Sequence, residues 1–328
     1  MLEREQMEKT DLGIKISELQ QIKEALDKQI KAAEEKRKEI ETLLESMVKI
    51  ENAKTPEQKV IMVKSAIEAV KSSETMNIPR VRNDMKISSG IPKVDQMLLG
   101  GMPNPSNIVL FGAPFTSKDA LGNNFVANSL KENVPVIIVS ADRDIDQIKY
   151  DIAITMGVDP EIVDGFEDDG LIRFVDIYSK SIQAPSSSKK AIVIDGISNL
   201  SLLLKSMESL EADILRSYPY YRMLFISLTA FIPQFEDKIT MKFIQQLTQK
   251  RKANRCTALY LLEDGLFDQK VSETISYIMD GTIEFKLVNS KQYMRVIGLP
   301  NVRTREWVEV YNNNHTFDLG SFSLERVR

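Results

Sequence analysis

Cysteine and histidine are nearly absent from this chain of 328 residues, which holds one of each, Cys256 and His315. A single cysteine excludes an intrachain disulfide and a cysteine-rich metal cluster, and it suits a reducing cytoplasm. A single histidine, His315, argues against a histidine-based metal site or a serine-histidine-aspartate relay. Long apolar runs are missing too. None approaches the ~20 residues that span a bilayer, so no membrane insertion is expected. Residues 1–10 are charged and lack the apolar core of a secretory leader. A dominant charge is also missing: 43 Lys and Arg face 47 Asp and Glu, for a net charge of −4. That balance argues against a nucleic-acid partner.

What is present falls into three parts. Residues 1–50 are dense in Glu and Lys and carry no proline. Leu12, Leu19, Leu26, Ala33, Ile40 and Met47 recur every seven residues, with Ile16, Lys23, Ile30, Arg37 and Leu44 offset by four. This is the seam of a coiled coil. A lone amphipathic helix would share the pattern, but so narrow an apolar stripe has little to bury against. Lys23 and Arg37 weaken the seam and are of the kind that sets register. Residues 51–85 read as a short helix, opened by Thr55-Pro56-Glu57, and a polar linker carrying Pro79.

From residue 86 onward, short β-branched runs alternate with helical patterns. Strands are predicted at Ile108–Phe111, Val136–Ser140, Ile172–Ile177, Met223–Leu228, Ala258–Leu262, Thr282–Val288 and Tyr293–Ile297. Helices are predicted near 119–131, 144–156, 198–216, 237–253 and 270–279. The alternation implies an α/β domain with a mainly parallel central sheet flanked by helices. The last two strands, joined by a short turn at Asn289-Ser290-Lys291, read as an antiparallel pair at one edge.

One stretch carries chemistry. After the run Ile108–Phe111 comes Gly112-Ala113-Pro114-Phe115-Thr116-Ser117-Lys118-Asp119. Strand, Gly-opened turn and helix in that order are where a P-loop NTPase places its phosphate loop, G-x-x-x-x-G-K-[ST]. Gly112 and Lys118 stand at the right spacing. Ser117 takes the second glycine's place and Asp119 that of the hydroxyl that holds Mg²⁺. Ser117 has a Cβ and would resist a left-handed backbone if the loop needs one. Asp119 would set a carboxylate at the helix start, where a phosphate would bind and where the helix dipole favours an anion. The bland alternative is an ordinary strand-to-helix turn with Lys118 in solvent.

Two further stretches resemble the KaiC/RadA-like branch of the RecA superfamily, especially archaeal KaiC-domain proteins. Ser89-Gly90-Ile91-Pro92-Lys93-Val94-Asp95-Gln96-Met97-Leu98-Leu99-Gly100-Gly101-Met102-Pro103 is similar to the family's S-G-I-x-x-L-D-x-x-L-G-G-G-I-P. Tyr260–Gly265, running on to Asp280-Gly281-Thr282-Ile283-Glu284, is similar to its strand, E-x-G loop, helix and D-G-x-I-E strand. The resemblance covers about residues 86–328. It implies a RecA-like fold, frequent oligomerisation and, in typical members, ATP binding.

It also identifies the parts to check. The phosphate-loop positions are Gly112, Thr116, Ser117, Lys118 and Asp119. Members typically carry two glutamates after the second strand, one activating the attacking water; here Asp142 and Arg143 stand there. Asp142 has a shorter reach, and Asp142 or Asp144 equally serves as a helix cap. The metal-binding aspartate of the third strand has two candidate registers. Ala191–Asp195 looks like an apolar strand ending in Asp, but the helix that follows makes Tyr221–Thr229 the better match, with Ile226 in the aspartate's place. Arg303 and Arg305 are candidate relics of a segment that reaches a neighbouring subunit's nucleotide, with altered spacing. His315 reads as a turn residue.

These departures together point to a non-catalytic pseudo-ATPase, a scaffold or regulatory protein with no catalytic residue, no metal ligand and no resident cofactor. Its expected partners are copies of itself, a paralogous KaiC-like subunit, or a protein docked on the coiled coil. The alternative is a slow ATPase or ATP-binding switch that keeps ATP and Mg²⁺ at the altered loop. Among the other features, the basic run Gln249–Arg255 suits a helix C-terminus. Pro185–Lys190 reads as a flexible polar loop, Trp307 and Tyr218–Tyr221 as core packing, and Cys256 as an inert buried thiol.

Overall fold

The computed structural model describes residues 85–194, 199–313 and 316–321. The chain divides into two units, Met1–Arg80 and Val81–Arg328. The predicted coiled coil, short helix and linker lie outside the described residues, as do Asp195 and His315.

The central strands follow directly from the apolar runs. They are β3 (Ser106–Gly112), β4 (Val136–Ser140), β5 (Ile172–Asp176), β7 (Tyr221–Ile226) and β8 (Cys256–Glu263), after a small hairpin of β1 (Lys86–Ile87) and β2 (Met102–Pro103). Every residue of β4 and β7 is buried. Burial on both faces is the mark of parallel strands covered on two sides. A ten-stranded sheet runs from β12 (Thr316–Leu319) through β11 (Val308–Asn313), β10 (Lys291–Ile297) and β9 (Gly281–Val288) to β3, β8, β7, β4, β5 and β6 (Ile192–Val193). From β9 to β6 all neighbours are parallel, and the other three strands are antiparallel.

Helices cover both faces. On one, α2 (Lys118–Lys131), α3 (Ile145–Met156) and α4 (Pro160–Asp168) pack Leu121, Phe125, Ile148, Ile152 and Val163 against Ile108, Leu110, Ile138 and Leu224. On the other, α6 (Leu200–Ile214), α7 (Asp237–Ala253) and α8 (Gln269–Ile278) pack Leu203, Met207, Phe243, Leu247 and Ile275 against Val109, Val139, Phe225 and Tyr260. Two short α-helices, α1 (Pro92–Met97) and α5 (Tyr178–Ser181), are also present among the described residues. Successive residues of one strand feed opposite layers, as the two-residue pleat requires.

The glycine-rich lead-in has a mechanical role. Asp95 accepts hydrogen bonds from the Ser89 amide at 2.7 Å, the Ser89 hydroxyl at 2.7 Å and the Ser88 hydroxyl at 2.6 Å. Gly90 then sits at φ 83°, where a Cβ would lie 2.7 Å from the Asn124 carbonyl of α2. The motif thereby docks the lead-in onto α2, the helix that follows β3.

Three expectations need correction. The antiparallel pair β9–β10 is not at the edge, because β11 and β12 extend the sheet beyond it. Its turn is Asn289-Ser290 alone, with φ values of 49° and 62°, which is the two-residue turn whose twist suits a hairpin. The apolar run 191–195 forms only the two-residue strand β6 among the described residues, at the far edge. Helix α4 was not anticipated: Pro160 opens it, but its buried residues are just Val163 and Glu167, too few for a visible period.

Candidate functional site

The loop from Gly112 to Lys118 joins β3 to α2 at the C-terminal end of the parallel strands. Gly112 is held close to β9. A Cβ there would lie 2.7 Å from the Phe285 carbonyl and 2.9 Å from the Phe285 side chain, so glycine is required by strand packing. The left-handed residue of the loop is Phe115, at φ 65° and 96% exposed. Ser117 has φ −72° and starts α2 without strain. The expected conflict between its Cβ and a left-handed backbone therefore does not arise.

Lys118 is buried at 1% exposure, which overturns the solvated alternative. Its ammonium contacts the Glu263 carboxylate at 2.9 Å, the Asp119 carboxylate at 3.4 Å and the Ala113 carbonyl at 3.2 Å. Glu263 ends β8 and is the register partner of Gly112. The Ser117 amide and hydroxyl both donate to the Gln292 side-chain oxygen, at 2.7 and 2.5 Å. Gln292 lies on β10, paired with Leu287 and Val310. Thr116 donates its hydroxyl to the Ala113 carbonyl at 2.8 Å.

Asp119 is bound by Arg143 at 2.7 Å, and Arg143 also faces Asp151 at 3.7 Å. Burial pulls the Arg143 pKa down, but the hydrogen bond to Asp119 and the charges of Asp119, Asp142 and Asp151 outweigh it and raise the pKa. Arg143 is therefore a fixed counter-charge at the mouth of the loop. Asp142 accepts a hydrogen bond from the Ser227 hydroxyl. Asp144 caps α3, accepting from the Asp146 amide at 2.9 Å, so the helix-cap role falls to it.

The strand order bears on the two registers for the third-strand aspartate. β7 lies two places from β3, with β8 between them, and ends in the buried Ile226. β6, which leads to Asp195, is separated from β3 by β8, β7, β4 and β5. The Arg303 amide donates to the Met97 carbonyl at 2.8 Å and the Arg305 guanidinium to the Leu299 carbonyl at 3.0 Å, so both serve local structure.

Triphosphate binding at such a loop needs free amide donors, a free lysine and a carboxylate for Mg²⁺. In this conformation the Ser117 amide is spent on Gln292, Lys118 on Glu263 and Asp119, and Asp119 on Arg143. The residues as placed do not fit the group. Beside the loop lies a cleft of about 520 Å³, lined by Thr116, Asp119, Tyr150, Asp151, Asn312 and Phe317 among others.

Sequence reasoning missed both internal ligands. Glu263 stood inside a quoted motif without a role. Gln292 carried one faint signal, a polar residue in phase with the buried Met294 and Val296. The remaining features divide. Cys256 is buried, and burial pushes its thiol pKa up. Tyr221 is fully buried, while Trp307 is half-buried on the open face of the antiparallel strands, with Lys286 at 3.9 Å and Arg295 at 4.5 Å from its ring. The loop 185–190 is tied down, as Ser186, Ser187 and Ser188 donate to Asp176, Asp144 and Glu167. In the basic run, Lys250 and Lys252 pair with Glu208 and Asp280, and Arg251 is buried against Glu211.

A P-loop strand flanked by β8 and β9, with a glycine-opened loop feeding a helix, defines a RecA-like ATPase-domain fold. The chain matches the KaiC ATPase family over residues 87–322 and belongs to it. It is 27% identical over 203 residues to a UPF0273 protein of Pyrococcus horikoshii, covering 62% of this chain and 78% of that protein. A UPF0273 protein of Thermotoga maritima is 29% identical over 123 residues, 37% of this chain and 49% of that protein. The crystal structure of a KaiC-like protein from Pyrococcus horikoshii shares the fold, with a TM-score of 0.56 and 17% identity over 72% of this chain and 99% of that one. Among the described residues, no helix is long and apolar enough to cross a membrane.

Proposed function

We propose that this KaiC-family protein is a non-catalytic member that acts through self-association or by binding a protein partner, including a paralogous KaiC-like subunit. The observation that carries the reading is the end of β7. Ile226 and Ser227 occupy the end of the strand two places from the phosphate-loop strand, and neither supplies a carboxylate for a metal, while the neighbouring Asp142 carboxylate is taken up by the Ser227 hydroxyl. The pairing of Asp119 with Arg143 adds to it, since the one acid in the loop is already neutralised. Losing positioned charges in phosphoryl transfer typically costs several powers of ten in rate. The test is a steady-state ATPase assay with Mg²⁺ on the full chain and on Lys118→Ala. Background turnover in both is the expected result. Turnover that Lys118→Ala abolishes would refute the reading.

A second reading, an ATP-binding switch, has one observation in its favour. The cleft beside Asp119 and Thr116 carries Tyr150, half of whose surface is exposed, and polar side chains suited to a planar heterocycle and its sugar. Calorimetric titration of ATP with Mg²⁺ separates the two. Saturable binding without turnover, lost in Lys118→Ala, would move the assignment to the switch.

A further inference from the structure

We infer that Gln292 and Glu263 form an internal latch that holds the phosphate loop closed by occupying its donors with the protein's own oxygens. The inference rests on the loop being the family's phosphate loop. It concerns access to that loop, whatever the loop's turnover.

The geometry is specific. A loop built to bind oxyanions offers backbone N–H groups and a lysine to negatively charged oxygen. Here the Gln292 carbonyl oxygen accepts from both the Ser117 amide and the Ser117 hydroxyl. The amide needs an acceptor, and that fixes which end of the Gln292 side chain faces the loop. Ser117 is the residue before α2, and its hydroxyl makes no capping bond to the helix because it is turned to Gln292. The lysine is held likewise. Lys118 is 1% exposed and sits among Glu263, Asp119 and the Ala113 carbonyl. Two donors and one cation thus meet four oxygens, from β8, β10, the first turn of α2 and the loop itself.

The two ligands come from either side of the loop strand. Glu263 ends β8, hydrogen-bonded to β3 on one side, and Gln292 comes from β10, one strand beyond β9 on the other. A loop gripped from both flanks opens only when an incoming anion outcompetes both grips or when β10 shifts. One Glu263 oxygen is buried without a hydrogen-bond partner, so the carboxylate is only half-satisfied where it holds Lys118. Hydrogen bonds to charged groups gain more than neutral ones, so removing the Glu263 charge and the Gln292 acceptor together should release the loop by a readable amount.

The experiment compares the full-length wild type with Gln292→Met, which keeps the side chain's bulk, with Glu263→Gln, which keeps its shape, and with the double variant. ATP is titrated calorimetrically with and without Mg²⁺, and exchange of the Ser117 amide is followed in the absence of ligand. The expected result is ATP affinity about tenfold or more higher in the double variant than in the wild type, and Ser117 exchange about tenfold faster in Gln292→Met. Should Gln292→Met melt early, Glu263→Gln alone is expected to bind ATP more tightly than the wild type. Equal affinity in wild type and folded variants, or unchanged Ser117 exchange, overturns the latch. ATP turnover by the wild type would instead overturn the non-catalytic reading, so the two failures are told apart.

Discussion

The buried pair Glu211–Arg251 offers the sharpest test of how the helical layer opposite α2 is held. Arg251 on α7 and Glu211 on α6 are 0% and 1% exposed, with Arg251 Nε 2.5 Å from one Glu211 oxygen and a terminal nitrogen 3.0 Å from the other. Asn254 donates to the same carboxylate at 2.6 Å. The second terminal nitrogen of Arg251 lies 3.4 Å from the Met207 sulfur. Glu211→Leu would leave the guanidinium buried with no anion, at a cost of about 3–5 kcal/mol. For a domain of this size that is roughly 6–10 °C in Tm, at about 2 °C per kcal/mol. Replacing both partners, Glu211→Leu with Arg251→Met, removes the two charges together and should recover most of the loss. Urea unfolding of the single and double variants measures both terms. A single variant that loses less than about 1 kcal/mol would refute the claim that the charge is uncompensated without Glu211, as would a double variant no better than the single.

Three further outcomes are expected. Burial, first, and then the charge of Glu211 raise the Cys256 pKa above its unfolded value near ~8.5, so its stabilising share is full below that pH and is lost as pH rises. Wild-type unfolding free energy should therefore fall by up to about 2 kcal/mol more than that of Cys256→Ala between pH 8.5 and 10, and parallel curves would remove the effect. Gly112→Ala should cost about 1–3 kcal/mol in a thermal melt because its Cβ meets the Phe285 backbone; a neutral result would mean that β9 yields freely. Asp144→Ala should cost about 1 kcal/mol through the lost cap of α3, with additional loosening of the 185–190 loop through Ser187; an unchanged melt would show the cap to be idle.

Much of the architecture was legible in the sequence, because it depends on short-range periodicity. The apolar runs of β3, β4, β7 and β8 specify strands buried on both faces, and α7 was placed to the residue by its amphipathic period. Gly112 and Lys118 could be read as a strand-to-helix loop from spacing alone. Ser117 and Asp119 could be read as departures from the motif, since residue identity at fixed offsets is what a motif records. The family assignment rested on the same kind of local text.

What only the tertiary structure decided is which distant residues meet the loop and in what order the strands lie. Gln292 is 175 positions from Ser117, and Glu263 reaches Lys118 from the end of another strand. Apart from the phase that Gln292 shares with the buried Met294 and Val296, nothing within a few residues of either announces the contact. The order that puts β7 near the loop strand and β6 at the far edge arises from which apolar faces cover one another across the whole sheet, a choice that local propensity does not contain. The sequence by itself therefore determined that this chain carries a Gly-opened strand-to-helix loop, Gly112 to Lys118, in a KaiC-family domain. The fold determined that the loop's donors are met from within, because buried polar groups must find partners and here the partners within reach are the protein's own.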